Sequence, residues 1–330
     1  MRILVAGGAG FLGSAFVHRV LETRPHAILT VLDAFTYAAD PRNLPHSPRL
    51  RVVHGDIRDP DLVDALTRES EVSVNFAAES HNDRSISDPG VFESTNVRGT
   101  LVLLEAARRH RIRFHQVSTD EVYGDLPLDG DERFEPGSPF RPSSPYSASK
   151  AAADHLVRAW ARTYGLQATV THSVNGYGPR QHPEKFIPRQ ITNLLTGRPA
   201  ELYGTGLNIR GWVHADDHAD AVLRVLERGT PGGVYLIGTG REYSNRAVLG
   251  LLLDLLGADA GRVRLVADRP GHDRRYAVDA TATRALGWRP AHPDLVAGLR
   301  DTVHWYRAHP ERWTGIKDAV EAVTAERPTA

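Results

Sequence analysis

The sequence has no cysteine, which excludes disulfides, thiolate nucleophiles and Cys-ligated zinc or iron–sulfur centres. Lysine is nearly absent too: ammonium groups occur only at Lys150, Lys185 and Lys317, and arginine carries the remaining positive charge. Neither sign is in excess, since Lys plus Arg and Asp plus Glu each number 40, so no long-range field draws the chain to nucleic acid or to an anionic membrane. No apolar run reaches the length of a membrane span, and the opening MRILVAGGAG shows no signal-peptide pattern. These absences leave a cytoplasmic globular protein as the expectation, one that must hold any charged ligand with local groups.

What is present is a chain of 330 residues, 41% of them hydrophobic, enough to bury one large core or two ordinary ones. Short apolar runs recur at 2–6, 28–32, 51–53, 72–76, 114–118 and 168–173, with helical patterns between them at 14–22, 100–109 and 149–164. Such alternation predicts a parallel sheet covered by helices on both faces. After about Gly176 the pattern loosens into Pro- and Gly-rich connections, and VHADDHADAVLRVLERG followed by GVYLIG predicts one more helix and strand returning to the sheet. The expected division is residues 1–175 plus about 210–240 in one domain, about 176–209 plus 241–315 in a smaller discontinuous α/β domain, and a tail over 316–330.

Gly7, Gly10 and Gly13 follow an apolar strand and open a helix, a spacing that lets backbone approach a pyrophosphate at a helix N-terminus. Asp33 closes the second strand, twenty residues after Gly13, where an acid accepts hydrogen bonds from the ribose and disfavours a 2′-phosphate. Together they predict a doubly wound Rossmann-type sheet that binds NAD. SPYSASK places Tyr146 four residues before Lys150 on one helix face, where an ammonium beside a phenol would favour the phenolate and make a base. STDEVYG, from Ser118 to Gly124, sets Asp120 beside Glu121 at a strand end. Ser118 and Glu121 also fit a helix capping box, but Gly and Pro break the chain before a helix could follow.

The glycine turn, Asp33 and YSASK together resemble the extended short-chain dehydrogenase/reductase family, which acts mostly on nucleotide sugars. The finer motifs FAAESHNDRS, STDEVYGD, SPYSASK, HPEKFIP and DRPGHDRRYA resemble its dTDP-glucose 4,6-dehydratase branch, over Met1 to about Tyr306. The resemblance implies that Tyr146, assisted by Lys150, takes the 4-hydroxyl proton, that Thr119 binds the 4-oxygen, and that Asp120 is the acid and Glu121 the base of water loss. It implies NAD contacts from Gly7, Gly10, Phe11, Leu12, Gly13, Asp33, Thr36, Asp56, Ile57, Ala77, Ala78, Thr95, Ser118, Tyr146 and Lys150. Substrate contacts are implied for Ser80, Thr119, Asn175, Lys185, Phe186, Tyr203, Arg210, Asn245, Arg269 and His272. It further implies a homodimer through a four-helix interface, to which the apolar stripe Leu156, Val157, Trp160, Ala161 and Tyr164 would belong.

HADDH, His214 to His218, has histidines at a spacing a metal accepts. The resemblance makes it instead the entry to a helix capped by Asp216 or Asp217, and no metal is expected. Asn82, Gly176, Glu201 and Gly211 depart from the family pattern. Glu201 is expected to add a charge near the nucleotide base, and Gly211 to leave Arg210 short of a local partner, so base or sugar preference stays open. A nucleotide-sugar 4-epimerase or UDP-glucuronate decarboxylase would share the fold, NAD and the Tyr/Lys pair, but neither needs an acid and a base for loss of water. A non-catalytic NAD-binding protein would not need the five catalytic candidates.

Overall fold

The computed structural model describes residues 1–325. Its first half alternates β1 (Arg2–Ala6), α1 (Phe11–Thr23), β2 (Ile28–Asp33), β3 (Leu50–His54), α2 (Pro60–Arg68) and β4 (Val72–Asn75). Two short helices, α3 (Asn82–Ser87) and α4 (Pro89–Phe92), then lead through one π-helical stretch into α5 (Gly99–His110). They are followed by β5 (Arg113–Thr119), a 3₁₀ turn over Asp120–Tyr123, α6 (Pro145–Tyr164) and β6 (Ala168–Ser173).

The second half contains β7 (Asn175–Tyr177), α7 (Phe186–Leu195), β8 (Ala200–Tyr203), β9 (Ile209–His214), α8 (Ala215–Arg228) and β10 (Val234–Ile237). It ends with β11 (Glu242–Ser244), α9 (Asn245–Leu256), β12 (Val263–Val266), α10 (Thr281–Ala285), α11 (Leu295–Ala308) and α12 (Thr314–Ala325).

Seven strands form one sheet in the order β10-β6-β5-β4-β1-β2-β3, and every pairing in it is parallel. Parallel strands are buried on both faces, so successive side chains feed two cores. Ile3 and Val5 join Phe16, Val17, Val20 and Val222 under α1 and α8, while Leu4 and Ala6 join Leu103, Leu104 and Val157 under α5 and α6. Strand order reverses between β1 and β4, which opens a crevice at the carboxyl edge of the sheet.

The smaller part carries a three-stranded sheet, β11-β9-β7, and a parallel β8-β12 pair. Packed there are α7, α9 and α11, around Ile187, Ile191, Trp212, Val248, Leu252 and Leu299. As the sequence predicts, α8 and β10 return to the large sheet. β9 does not: it pairs with β7 and β11, although its residues were expected with the first domain from about 210.

Two further expectations are corrected. The tail from 316 is helical to Ala325, because α12 docks through buried Lys317, whose Nζ donates to Glu321, and Glu321 accepts from buried Arg189. Residues 326–330 lie outside the described residues. The cap of α8 is His214, whose Nδ1 accepts from the Asp216 N–H at 3.3 Å, whereas the Asp217 carboxylate accepts from the N–H groups of Ala291 and His292. Among the described residues no helix is long and apolar enough to cross a membrane.

Candidate active site

The crevice is a cleft of about 520 Å³ running from the glycine turn to the smaller sheet. Every residue assigned to NAD or substrate in the sequence lines it, and so do Thr119, Glu121, Tyr146 and Lys150. Asp120 does not. The 3₁₀ turn after β5 sends Thr119 and Glu121 toward the cleft and the carboxyl between them inward, where it is 1% exposed and Oδ2 has no hydrogen-bond partner. Thr119, not Ser118, caps that turn, accepting from the Glu121 N–H at 3.2 Å.

At the other end of the cleft the glycine turn is held by contact. A Cβ on Gly13 would lie 2.2 Å from the Gly7 carbonyl oxygen, and Gly7 itself has φ +75°. Gly10 caps α1 without a side chain and no acid occupies the first turn, so the leading N–H groups stay open to an anion. Asp33 is buried at the end of β2, with its oxygens fixed by the N–H groups of Ala9 at 2.8 Å and Phe35 at 2.9 Å. Burial raises its pKa and those two donors oppose the rise. Uncapped helix, close glycine approach and oriented acid fit a dinucleotide.

Burial dominates the electrostatics of the reacting end. Asp120 is raised well above the ordinary carboxyl value, first by desolvation and then by the Glu121 carboxylate, with Arg210 opposing. Tyr146 is raised by burial and by Glu121, and the Thr119 hydroxyl opposes this. Lys150 Nζ donates to the Val117 carbonyl at 2.8 Å. Lys150 is itself lowered by burial, against the pull of Asp154 one turn on. Asp154 closes a buried network in which its Oδ2 accepts from Ser118 Oγ at 2.6 Å and lies 3.0 Å from His172 Nε2.

Lys185 Nζ donates to the Ser80 carbonyl at 2.5 Å and to Ser80 Oγ at 3.2 Å. Around it, burial lowers His81 and His182 to about 4, leaving both neutral near pH 7. Arg210 has more partners than its sequence neighbours suggest: it donates to the carbonyls of Ile209, Asp273 and Arg274 and lies over the Tyr276 ring. Gly211 could not carry an acid without displacing Val174, which a Cβ would meet at 2.8 Å. Glu201 is not an open charge either, since Arg189 donates to it at 2.6 Å and Arg264 pairs with its other oxygen.

The structure adds residues not singled out as site members. Glu184, Gln181, Trp212 and Tyr276 line the cleft, and Asn82 donates to Glu121. Glu184 and Tyr276 lie inside HPEKFIP and DRRYA, so those motifs carried the signal. HADDH does not form the metal pair its spacing allows. His218 is fully buried, and a different trio, His214, Asp216 and His292, brings its ligand atoms within 4.8 Å. None of the three lines the cleft.

The sequence model of the NAD dependent epimerase/dehydratase family matches residues 3–238. The chain is 54% identical over 329 residues to the dTDP-glucose 4,6-dehydratase of Mycolicibacterium smegmatis, covering 99% of each chain. The crystal structure of DesIV, a dTDP-glucose 4,6-dehydratase from Streptomyces venezuelae with NAD bound, superposes with TM-score 0.92 at 48% identity, covering 96% of this chain and 100% of that one. A UDP-glucose 4-epimerase of Thermus thermophilus in complex with NAD shares the fold at TM-score 0.86 and 32% identity, over 93% of this chain and 99% of that one.

The buried Asp120 yields a prediction with a definite sign. With its pKa raised by burial, the folded protein keeps a proton that the unfolded chain releases above about pH 4. The stability from this linkage is full below that pH and is lost as pH rises toward the folded-state value. Asp120→Asn has no such linkage, so its unfolding free energy, followed by denaturant titration, gains on the parent's as pH rises above about 4. A difference independent of pH contradicts the protonated carboxyl.

Proposed function

The chain belongs to the NAD dependent epimerase/dehydratase family, and from that premise we propose that it converts dTDP-glucose to the 4-keto-6-deoxy sugar by loss of water. The observation that carries this over epimerisation is the Thr119–Asp120–Glu121 turn beside Tyr146, which supplies one carboxyl in the cleft and, behind it, a second whose pKa burial raises. Supporting it, identity is higher to the dehydratases, at 54% and 48%, than to the epimerase, at 32%.

NAD fits the glycine turn, Asp33 and the walls at Asp56, Ile57, Ala77, Ala78 and Thr95, and when bound it supplies a hydride acceptor for C4 and a donor for C6. Tyr146 takes the proton of the 4-hydroxyl in its phenolate form, which burial disfavours and the Thr119 hydroxyl favours, and Thr119 also holds the 4-oxygen. The 4-ketone acidifies C5–H, and Glu121 takes that proton. As the C6–O bond breaks, Asp120 protonates the departing hydroxyl, so that water leaves and a C5=C6 double bond forms. Because Asp120 sits one residue behind the wall, its carboxyl must turn past Thr119 to reach the 6-oxygen. Glu121 returns its proton to C5 as C6 is reduced, and the proton that Tyr146 took from the 4-hydroxyl, passed on through solvent, replaces the one Asp120 gave to the departing water, so that all three groups regain their starting states.

At the far end Arg210, Lys185, Asn245, Arg269 and His272 line the cleft where the nucleoside diphosphate would lie, with Arg210 the fork for its phosphates. The large sheet with α8 and β10 thus holds the cofactor, and the elements from α7 to β9 and from β11 to α11 hold the nucleotide. We assign the enzyme to the cytoplasm, where NAD and nucleotide sugars are available. Its homodimer joins α5 and α6 of two copies across Trp160 and exposed Tyr164, which pack edge to face.

Two measurements test this reading. Glu121→Gln binds NAD as the parent does but loses solvent-proton exchange at C5 of dTDP-glucose; undiminished exchange removes Glu121 from the base role. Sedimentation gives twice the monomer mass for the parent and the monomer mass for Tyr164→Glu, and an unchanged dimer in the variant moves the interface elsewhere.

A further inference from the structure

The Glu121 carboxylate has an anchor outside its own turn. Asn82, the first residue of α3, donates from Nδ2 to Glu121 Oε2 at 2.9 Å. Its other amide atom, Oδ1, accepts from Ser144 Oγ at 2.8 Å. The chemistry fixes the orientation of the amide, since a carboxylate can only accept and a serine hydroxyl can donate. Ser144 is the N-cap of α6, and its Oγ also accepts from the Ser147 N–H at 3.1 Å. Tyr146 follows two residues later. A continuous line of hydrogen bonds therefore runs from Glu121 through one amide to the N-terminus of the helix that carries Tyr146 and Lys150.

We propose that Asn82 is a positioning residue that locks Glu121 onto the frame of α6, so that proton removal at C4 and at C5 occurs in one fixed geometry. The proposal rests on the reading of Glu121 as the base. Oε2 is the held oxygen, and Oε1, which accepts no hydrogen bond from the described residues, is the one left to take the C5 proton. The lock opposes a competing attraction: Lys185 is close enough for the Glu121 charge to act on it, and its ammonium is in the same cleft. Without the amide, the carboxylate is free to swing toward that ammonium and away from C5. A base must be held to within roughly half an ångström and 10–20° to keep its effect.

The test separates the two halves of the reaction. In single turnovers with dTDP-glucose, Asn82→Leu slows C5 exchange and water loss by about tenfold to a hundredfold, the cost of misplacing a reacting group by about an ångström. C4 oxidation, read as NADH absorbance, changes by less than about twofold, so NADH accumulates where the parent shows little. Asn82→Asp keeps the shape and sets a like charge against Glu121, so it loses at least as much exchange. Asn82→Gln, which keeps an amide donor, recovers part of it. The proposal is overturned if exchange in Asn82→Leu and Asn82→Asp stays within about twofold of the parent, or if both half-reactions and KM worsen together as for a general loss of structure. Loss of exchange in Glu121→Gln without loss in the Asn82 variants overturns the lock alone; retained exchange in Glu121→Gln overturns the base assignment beneath it.

Discussion

The parallel pairing of β1 with β2 on one side and β4 on the other sets where everything else in the molecule can lie. Parallel strands need crossovers, and their carboxyl ends all open on one edge. The glycine turn leaves β1, Asp33 ends β2, Asp56 follows β3, Ala77 and Ala78 follow β4, Thr119 ends β5, and Asn175 lies just beyond β6. Residues more than a hundred positions apart meet there because the sheet leaves them nowhere else to meet. The reversal of strand order between β1 and β4 then provides a gap at that edge.

Desolvation is the second determinant. The same buried edge that collects the polar groups removes water from them, and burial is the largest influence on Asp33, Asp120, Tyr146, Lys150 and Lys185 alike. Carboxyls and the phenol are pushed toward their neutral forms, and the ammonium groups toward losing their protons. Asp120 and Glu121 are neighbours in sequence, yet Glu121 is in the cleft and Asp120 behind it. Two neighbouring carboxyls are thus given different environments, the condition under which groups of one type can take different proton-transfer roles.

Much of this was legible in the sequence because it rests on local patterns. The apolar runs, the glycine spacing and the four-residue step from Tyr146 to Lys150 each follow from geometry within a few residues. What was not legible depends on partners brought from afar. Lys150 turns to the Val117 carbonyl, Glu201 is neutralised by Arg264 from β12, and His214 rather than an aspartate caps α8 while Asp217 is taken by Ala291 and His292. The inward aim of Asp120 depends on one 3₁₀ turn, and Asn82 shows its importance only when Ser144 and Glu121 are seen to flank it.

The central claim is an internal redox cycle in which hydrogen removed at C4 reappears at C6 while water is lost between. Its most direct measurement is the fate of deuterium placed at C4 of dTDP-glucose and incubated with the purified protein. The expected result is a 4-keto-6-deoxy sugar carrying that deuterium at C6. Recovery of a C4 epimer, of a deoxy product without deuterium at C6, or of unchanged substrate would contradict it.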